Sequence, residues 1–210
     1  MFVTRSVIIL CLISLKAAHV CAKTLQITDQ NGQPLPGAVV EVEHDIIMAA
    51  DTTIAVMDQV GKRFSPRLLT INKGQAVRFP NSDDIRHHVY SFSKTKPFEL
   101  KLYAGTPKAP INFEQSGIVV LGCNIHDSMV GYIYVADSQS VYVSNALGNI
   151  ELPDFTQRYT VWHERQTRDI SERIEFNWPI RQRHQKIIIT TSVPLPRNTF
   201  GEVFKEHHGH

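Results

Sequence analysis

Ile118-Val119-Val120-Leu121-Gly122-Cys123-Asn124-Ile125-His126-Asp127-Ser128-Met129-Val130-Gly131-Tyr132-Ile133-Tyr134-Val135 sets two apolar runs around a short polar loop. Both runs are rich in β-branched and aromatic residues and each is under eight residues long, so they read as strands joined by the loop from Gly122 to Met129. The same pattern recurs along the chain. Ala38 to Val42, Leu68 to Ile71, Ala76 to Phe79, Val89 to Phe92, Phe98 to Tyr103, Tyr159 to Trp162 and Lys186 to Thr191 are further short runs of this kind. Turn signals separate them, among them Asn31-Gly32, Pro36-Gly37, Lys73-Gly74, Pro80-Asn81 and Gly148-Asn149. Many short strands at regular spacing predict an all-β sandwich or barrel. Helical signals are scarce: Asp45 to Val56 has room for a turn or two, and Gln166 to Ile174 is charged and poorly amphipathic.

The loop also carries the chemistry. Cys123, His126 and Met129 follow one another at intervals of three, so one tight loop can turn a thiolate, an imidazole and a thioether to one point. A second imidazole from another strand would complete a Cys-His-His set with a weak axial Met, the donor set of a blue-copper electron-transfer site. Thiolate and thioether hold Cu(I), and imidazole suits both oxidation states. Each residue has a plainer reading: a free cysteine is often a small buried hydrophobe, and a methionine is more often core than ligand. The spacing of the three together is what favours a metal. The distant imidazole falls in Asn81-Ser82-Asp83-Asp84-Ile85-Arg86-His87-His88-Val89. Adjacent strand residues face opposite ways, so only one of His87 and His88 can readily face the metal.

Ile71-Asn72-Lys73-Gly74-Gln75-Ala76-Val77-Arg78-Phe79-Pro80-Asn81 resembles the strand-turn-strand of the cupredoxins plastocyanin and amicyanin, where Gly, Val, Phe and Asn recur at this spacing. Met129 to Val135 is similar to the closing strand of plastocyanin, and the short Cys-x-x-His-x-x-Met loop is closer to amicyanin. The resemblance covers Phe64 to Val135, about a third of the chain, and looks most like plastocyanin-like proteins associated with methylamine utilisation. It implies a cupredoxin-type Greek-key β-sandwich with one type 1 copper ion, held by His87, Cys123, His126 and Met129. In that family an Asn six residues before the ligand opens the loop, and counting from Asn81 gives His87. His88 would then support the site from behind, whereas aligning on Phe92 would make His88 the ligand. The resemblance further implies a carrier of single electrons that docks transiently on a protein redox partner, with His126 as the exposed imidazole. Gly32 to Ala38, and Gly148 to Asp154 with Tyr159, are similar instead to carboxypeptidase-regulatory-like β-sandwich modules, which serve as support or interaction units.

At the N-terminus Arg5, the apolar run Ser6 to Leu15 and the small residues ending Val20-Cys21-Ala22 read as a signal peptide, residues 1–22. The run is too short for a bilayer span of about 20 residues, so the mature chain is expected in the periplasm with no membrane span. Cleavage would remove two of the 22 bases and none of the 20 acids, leaving a chain near neutrality with no footprint for nucleic acid. It would also leave Cys123 alone, a thiol that needs burial or a ligand in an oxidising compartment. The expected organisation is a copper-binding domain at 23–138, an accessory β segment at 139–196 and a His-containing tail at 197–210. An enzymatic role is not expected, because multicopper oxidases and nitrite reductases need further centres built from His-x-His pairs, absent from the body of the chain. Two other functions fit the same sequence: copper storage, delivery or sensing without redox cycling, and a structural β-sandwich that binds a protein or glycan.

Overall fold

The computed structural model describes residues 22–43, 53–107, 109–138 and 140–192. The signal peptide (but for Ala22), most of the segment Asp45 to Val56 and the tail at 197–210 lie outside these residues. Among the described residues every regular element is a strand, so the chain is all-β as expected. No helix there is long and apolar enough to cross a membrane.

The strands in chain order are β1 (Lys23–Thr28), β2 (Val39–Val42), β3 (Ala55–Val56), β4 (Asp58–Gln59), β5 (Phe64–Ser65), β6 (Leu68–Asn72), β7 (Ala76–Arg78), β8 (His87–Ser91) and β9 (Phe98–Tyr103). They continue as β10 (Ile111–Asn112), β11 (Gly117–Gly122), β12 (Val130–Ala136), β13 (Val141–Val143), β14 (Asn149–Leu152), β15 (Arg158–Trp162), β16 (Ile174–Asn177) and β17 (His184–Ile188). Every strand expected from the sequence is present within a few residues. The stretch Gln166 to Ile174 forms turns before β16, held by the Gln166 side-chain amide donating to the Asp169 and Glu172 carbonyls at 2.9 and 2.8 Å.

Two sandwiches share the chain. In the first, a five-stranded sheet in the order β6-β12-β11-β8-β9 faces a three-stranded sheet β10-β7-β3. Met57, Phe79, Val89, Phe113, Leu121, Ile133 and Val135 fill the space between them. β6 to β12 is a parallel pair, whereas β11 to β12 and β8 to β9 are antiparallel. In the second, the sheets β14-β1-β17 and β13-β2-β15-β16 enclose Leu25, Ile27, Val40, Val42, Ile150, Leu152, Tyr159 and Val161. The sequence groups β1 and β2 with the residues up to 138; their hydrogen-bonded partners are instead β13, β14, β15 and β17. Leu25, Ile27, Val40 and Val42 of β1 and β2 share one core with Ile150, Leu152, Tyr159 and Val161. The two strands before residue 43 complete it.

β12 joins the units because both of its faces are apolar. Side chains alternate along a strand, so Ile133 and Val135 enter the first core while Tyr134 and Ala136 emerge on the back of the sheet. There they meet Trp162 and Val39 of the second unit, with the Trp162 ring 5.5 Å from Tyr132 and 6.2 Å from Tyr134 between centroids. Tyr134 donates its hydroxyl to Glu41 at 2.8 Å. Arg173 pairs with Glu41 at 3.0 Å and stacks over the Tyr134 ring. Burial of the Tyr134 hydroxyl, together with that carboxylate, raises its pKa well above the ordinary phenol value.

Candidate metal centre

Three strand ends assemble the site. Cys123 follows β11, His126 lies in the loop before β12, and His87 opens β8, which pairs with β11 through Gly122 and Tyr90. That pairing explains how residues 36 apart in sequence meet. The Cys123 sulfur lies 3.9 Å from His87 Nδ1 and 3.8 Å from His126 Nδ1, and the two rings are 5.0 Å apart between centroids. The three donor atoms all lie within 4.8 Å of one another. A trigonal centre with metal–nitrogen bonds of about 2.0 Å and a metal–sulfur bond of about 2.3 Å places sulfur and nitrogen about 3.7 Å apart. The two sulfur–nitrogen distances match that spacing, so the donor set suits a soft first-row ion.

Burial supports the same chemistry. His87 and Cys123 are enclosed by the first core, and His126 is half-buried at its rim. Met129 is 1% exposed and packs in the same cluster as Cys123. Its amide donates to the His126 carbonyl at 2.9 Å, closing the loop into the turn its spacing implied. Burial lowers the His126 pKa, helped by the neighbouring His87 and Lys62, so the imidazole favours its neutral, lone-pair-bearing form. Among the described residues Cys123 is the free cysteine, and it is buried.

His88 turns away from the site, as strand alternation requires. Its Nε2 is 2.9 Å from Glu99 Oε1, and its ring lies 5.5 Å from that of Tyr90. The expected support of the metal side by His88 is therefore not seen. Asp83 stands there instead: its Oδ2 is 2.6 Å from His87 Nε2. The sequence reading passed over Asp83, although its position four residues before a candidate ligand in a loop was the available signal. Asn81 holds that loop in place, its side-chain amide donating to the carbonyls of Ile85 and Tyr103 at 2.8 and 2.9 Å.

Glycines let other strands close on the site. The side chain of Phe64 lies against Gly131 and the ring of Tyr90 against Gly122, where any Cβ would come within 2.8 and 2.6 Å of them. The half-buried Tyr103 accepts from Gln59 at 2.5 Å through its hydroxyl, which donates to the Phe79 carbonyl at 2.8 Å. Desolvation pushes its pKa up to about 12.

No protein-family model matches the chain, and no curated protein matches it. Among solved structures it is similar to a copper-containing nitrite reductase from Thermus scotoductus SA-01, at 25% identity and a TM-score of 0.39 over 47% of this chain. The match spans about a quarter of the reductase, 26% of its length. A purple cupredoxin from Nitrosopumilus maritimus is similar at 23% identity and a TM-score of 0.35, over 39% of this chain and 99% of that one. A reduced, Cu(I) amicyanin variant is similar at 15% identity and a TM-score of 0.36, over 46% of this chain and 98% of that one.

Proposed function

We propose that this protein is an exported carrier of single electrons whose first sandwich, residues 53–138, binds one copper ion through His87, Cys123, His126 and Met129. The convergence of two imidazoles and a buried thiol within 4.8 Å carries this reading. When bound, a copper ion supplies a one-electron couple to a site whose ligands suit both of its oxidation states. Each side chain has its own part. Cys123 would supply a thiolate and Met129 a weakly bound thioether, while His87 would hold the ion from a strand. His126, half-buried at the rim beside exposed Ile125, offers a redox protein its nearest approach. The enclosing strands keep water and oxidants from the thiol and hold the donors still, which limits rearrangement when the charge changes.

The second sandwich, formed by residues 22–43 with 140–192, serves as a support module. The site belongs in the periplasm, where a thiol without a disulfide partner is protected by burial and ligation. The body of the chain carries no His-x-His pairs for further copper centres, so the reading is of a carrier and not an enzyme.

The deciding experiment is the absorption spectrum of the purified protein after Cu(II) loading and removal of excess metal, beside Cys123→Ser. An intense visible thiolate-to-copper charge-transfer band, present in the wild type and absent from Cys123→Ser with the fold intact, is expected. Copper bound with no such band would overturn the electron-carrier reading in favour of storage or sensing.

A further inference from the structure

Asp83 does more than close a loop. Its carboxylate accepts three N–H groups: His87 Nε2 at 2.6 Å, the Gly61 amide at 2.6 Å and the Lys62 amide at 2.9 Å. The two amides come from the hairpin between β4 and β5, where Gly61 and Lys62 both hold positive φ, 59° and 58°. Val60 and Arg63 close this turn with reciprocal backbone bonds of 3.0 and 3.2 Å. Successive amides in that conformation form a concave nest for an anion. Three hydrogen bonds converge on the carboxylate, and each favours its charged form. His87 has no other hydrogen-bonding partner at Nε2 among the described residues, so that nitrogen carries the proton and donates to Asp83. In the neutral imidazole Nδ1 is then the lone-pair side, facing the Cys123 sulfur.

We infer that Asp83 is a positioning residue that fixes the Nε2–H tautomer of His87 and, through its charge, sets the balance between the two oxidation states of the metal. The inference rests on the copper reading of this site. A carboxylate on the outer nitrogen of a ligand histidine orients the ring and raises its basicity. Added negative charge favours the more highly charged ion, so Asp83 strengthens Cu(II) binding more than Cu(I) binding and lowers the reduction potential. The β4–β5 turn therefore enters the metal site through two amides and one side chain, although it supplies no ligand.

Two measurements test this. The first is long-range ¹H–¹⁵N correlation NMR on the metal-free wild-type protein, which reads the His87 tautomer directly. The Nε2–H form is expected, and an Nδ1–H form overturns the inference. The second compares wild type with Asp83→Asn, whose amide keeps the side chain's shape and loses its charge. Cu(II) affinity is expected to fall about 10–100-fold, the usual effect of losing such a partner, and Cu(I) affinity to fall about tenfold less. That tenfold change in ratio is a rise of about 59 mV in a one-electron potential. An unchanged potential with the visible band intact overturns the proposed charge effect, and a purely structural role would lower thermal stability without moving the potential. If the wild type takes up no copper, the metal reading fails by itself, while the tautomer still decides whether Asp83 positions His87.

Discussion

Trp162→Ala separates what holds the two sandwiches together from what builds the site. Trp162 is fully buried against Tyr132 and Tyr134 on the back face of β12, and its indole N–H donates to the Ile170 carbonyl at 2.7 Å. Truncating a buried Trp to Ala costs about 3–5 kcal/mol, depending on how far the site collapses. Here collapse is opposed by two inclined tyrosine rings held on β12, and the Ile170 carbonyl is left without its donor. About 4 kcal/mol is therefore expected, a large part of the ~5–15 kcal/mol that stabilises a whole domain. At about 2–4 °C per kcal/mol for a chain of this size, the melting temperature should fall by about 8–16 °C. The donors lie on the opposite side of the five-stranded sheet, so a copper-loaded variant should keep the wild-type visible band below its melting point. Thermal unfolding followed by circular dichroism, with the absorption spectrum recorded in parallel, checks both outcomes. A fall below about 3 °C would refute the claim that this interface stabilises the fold. Loss of the band in a folded variant would refute the separation of interface from site.

Gly131→Ala should destabilise the protein by about 1–3 kcal/mol, because its Cβ would meet Phe64 within 2.9 Å and β12 and β5 must part to admit it; chemical denaturation reads the loss, and an unchanged midpoint would show that Phe64 yields freely. His163 is expected to make stability fall at mildly acidic pH. Burial lowers its folded-state pKa, its Nδ1 accepts the Arg165 amide at 3.2 Å, and its Nε2 faces the Pro36 carbonyl at 3.3 Å. As pH falls through the unfolded histidine value of about 6.5, the unfolded chain takes the proton first and stability drops with it. His163→Gln should flatten the melting-temperature profile between pH 7 and 5.5, and parallel profiles for the two proteins would exclude His163 as the cause.

The sequence alone determined the strands and the near half of the site. Strand periodicity is local, and so are the three-residue steps from Cys123 through His126 to Met129, because both depend on the geometry of one short stretch of chain. The choice between His87 and His88 was not local: alternation allows only one of them to face Cys123, but which face β8 turns to the core depends on its pairing through Tyr90 with Gly122. The pairing of β1 and β2 with strands more than 100 residues later was equally hidden, since a strand's hydrogen bonds carry no record of their partner. Asp83 was hidden for the same reason, because the two amides that aim it at His87 come from a hairpin about 20 residues earlier. Local geometry fixed which residues could bind a metal. Only the long-range closure of the sheets decided which imidazole faces the thiol, and which carboxylate stands behind it.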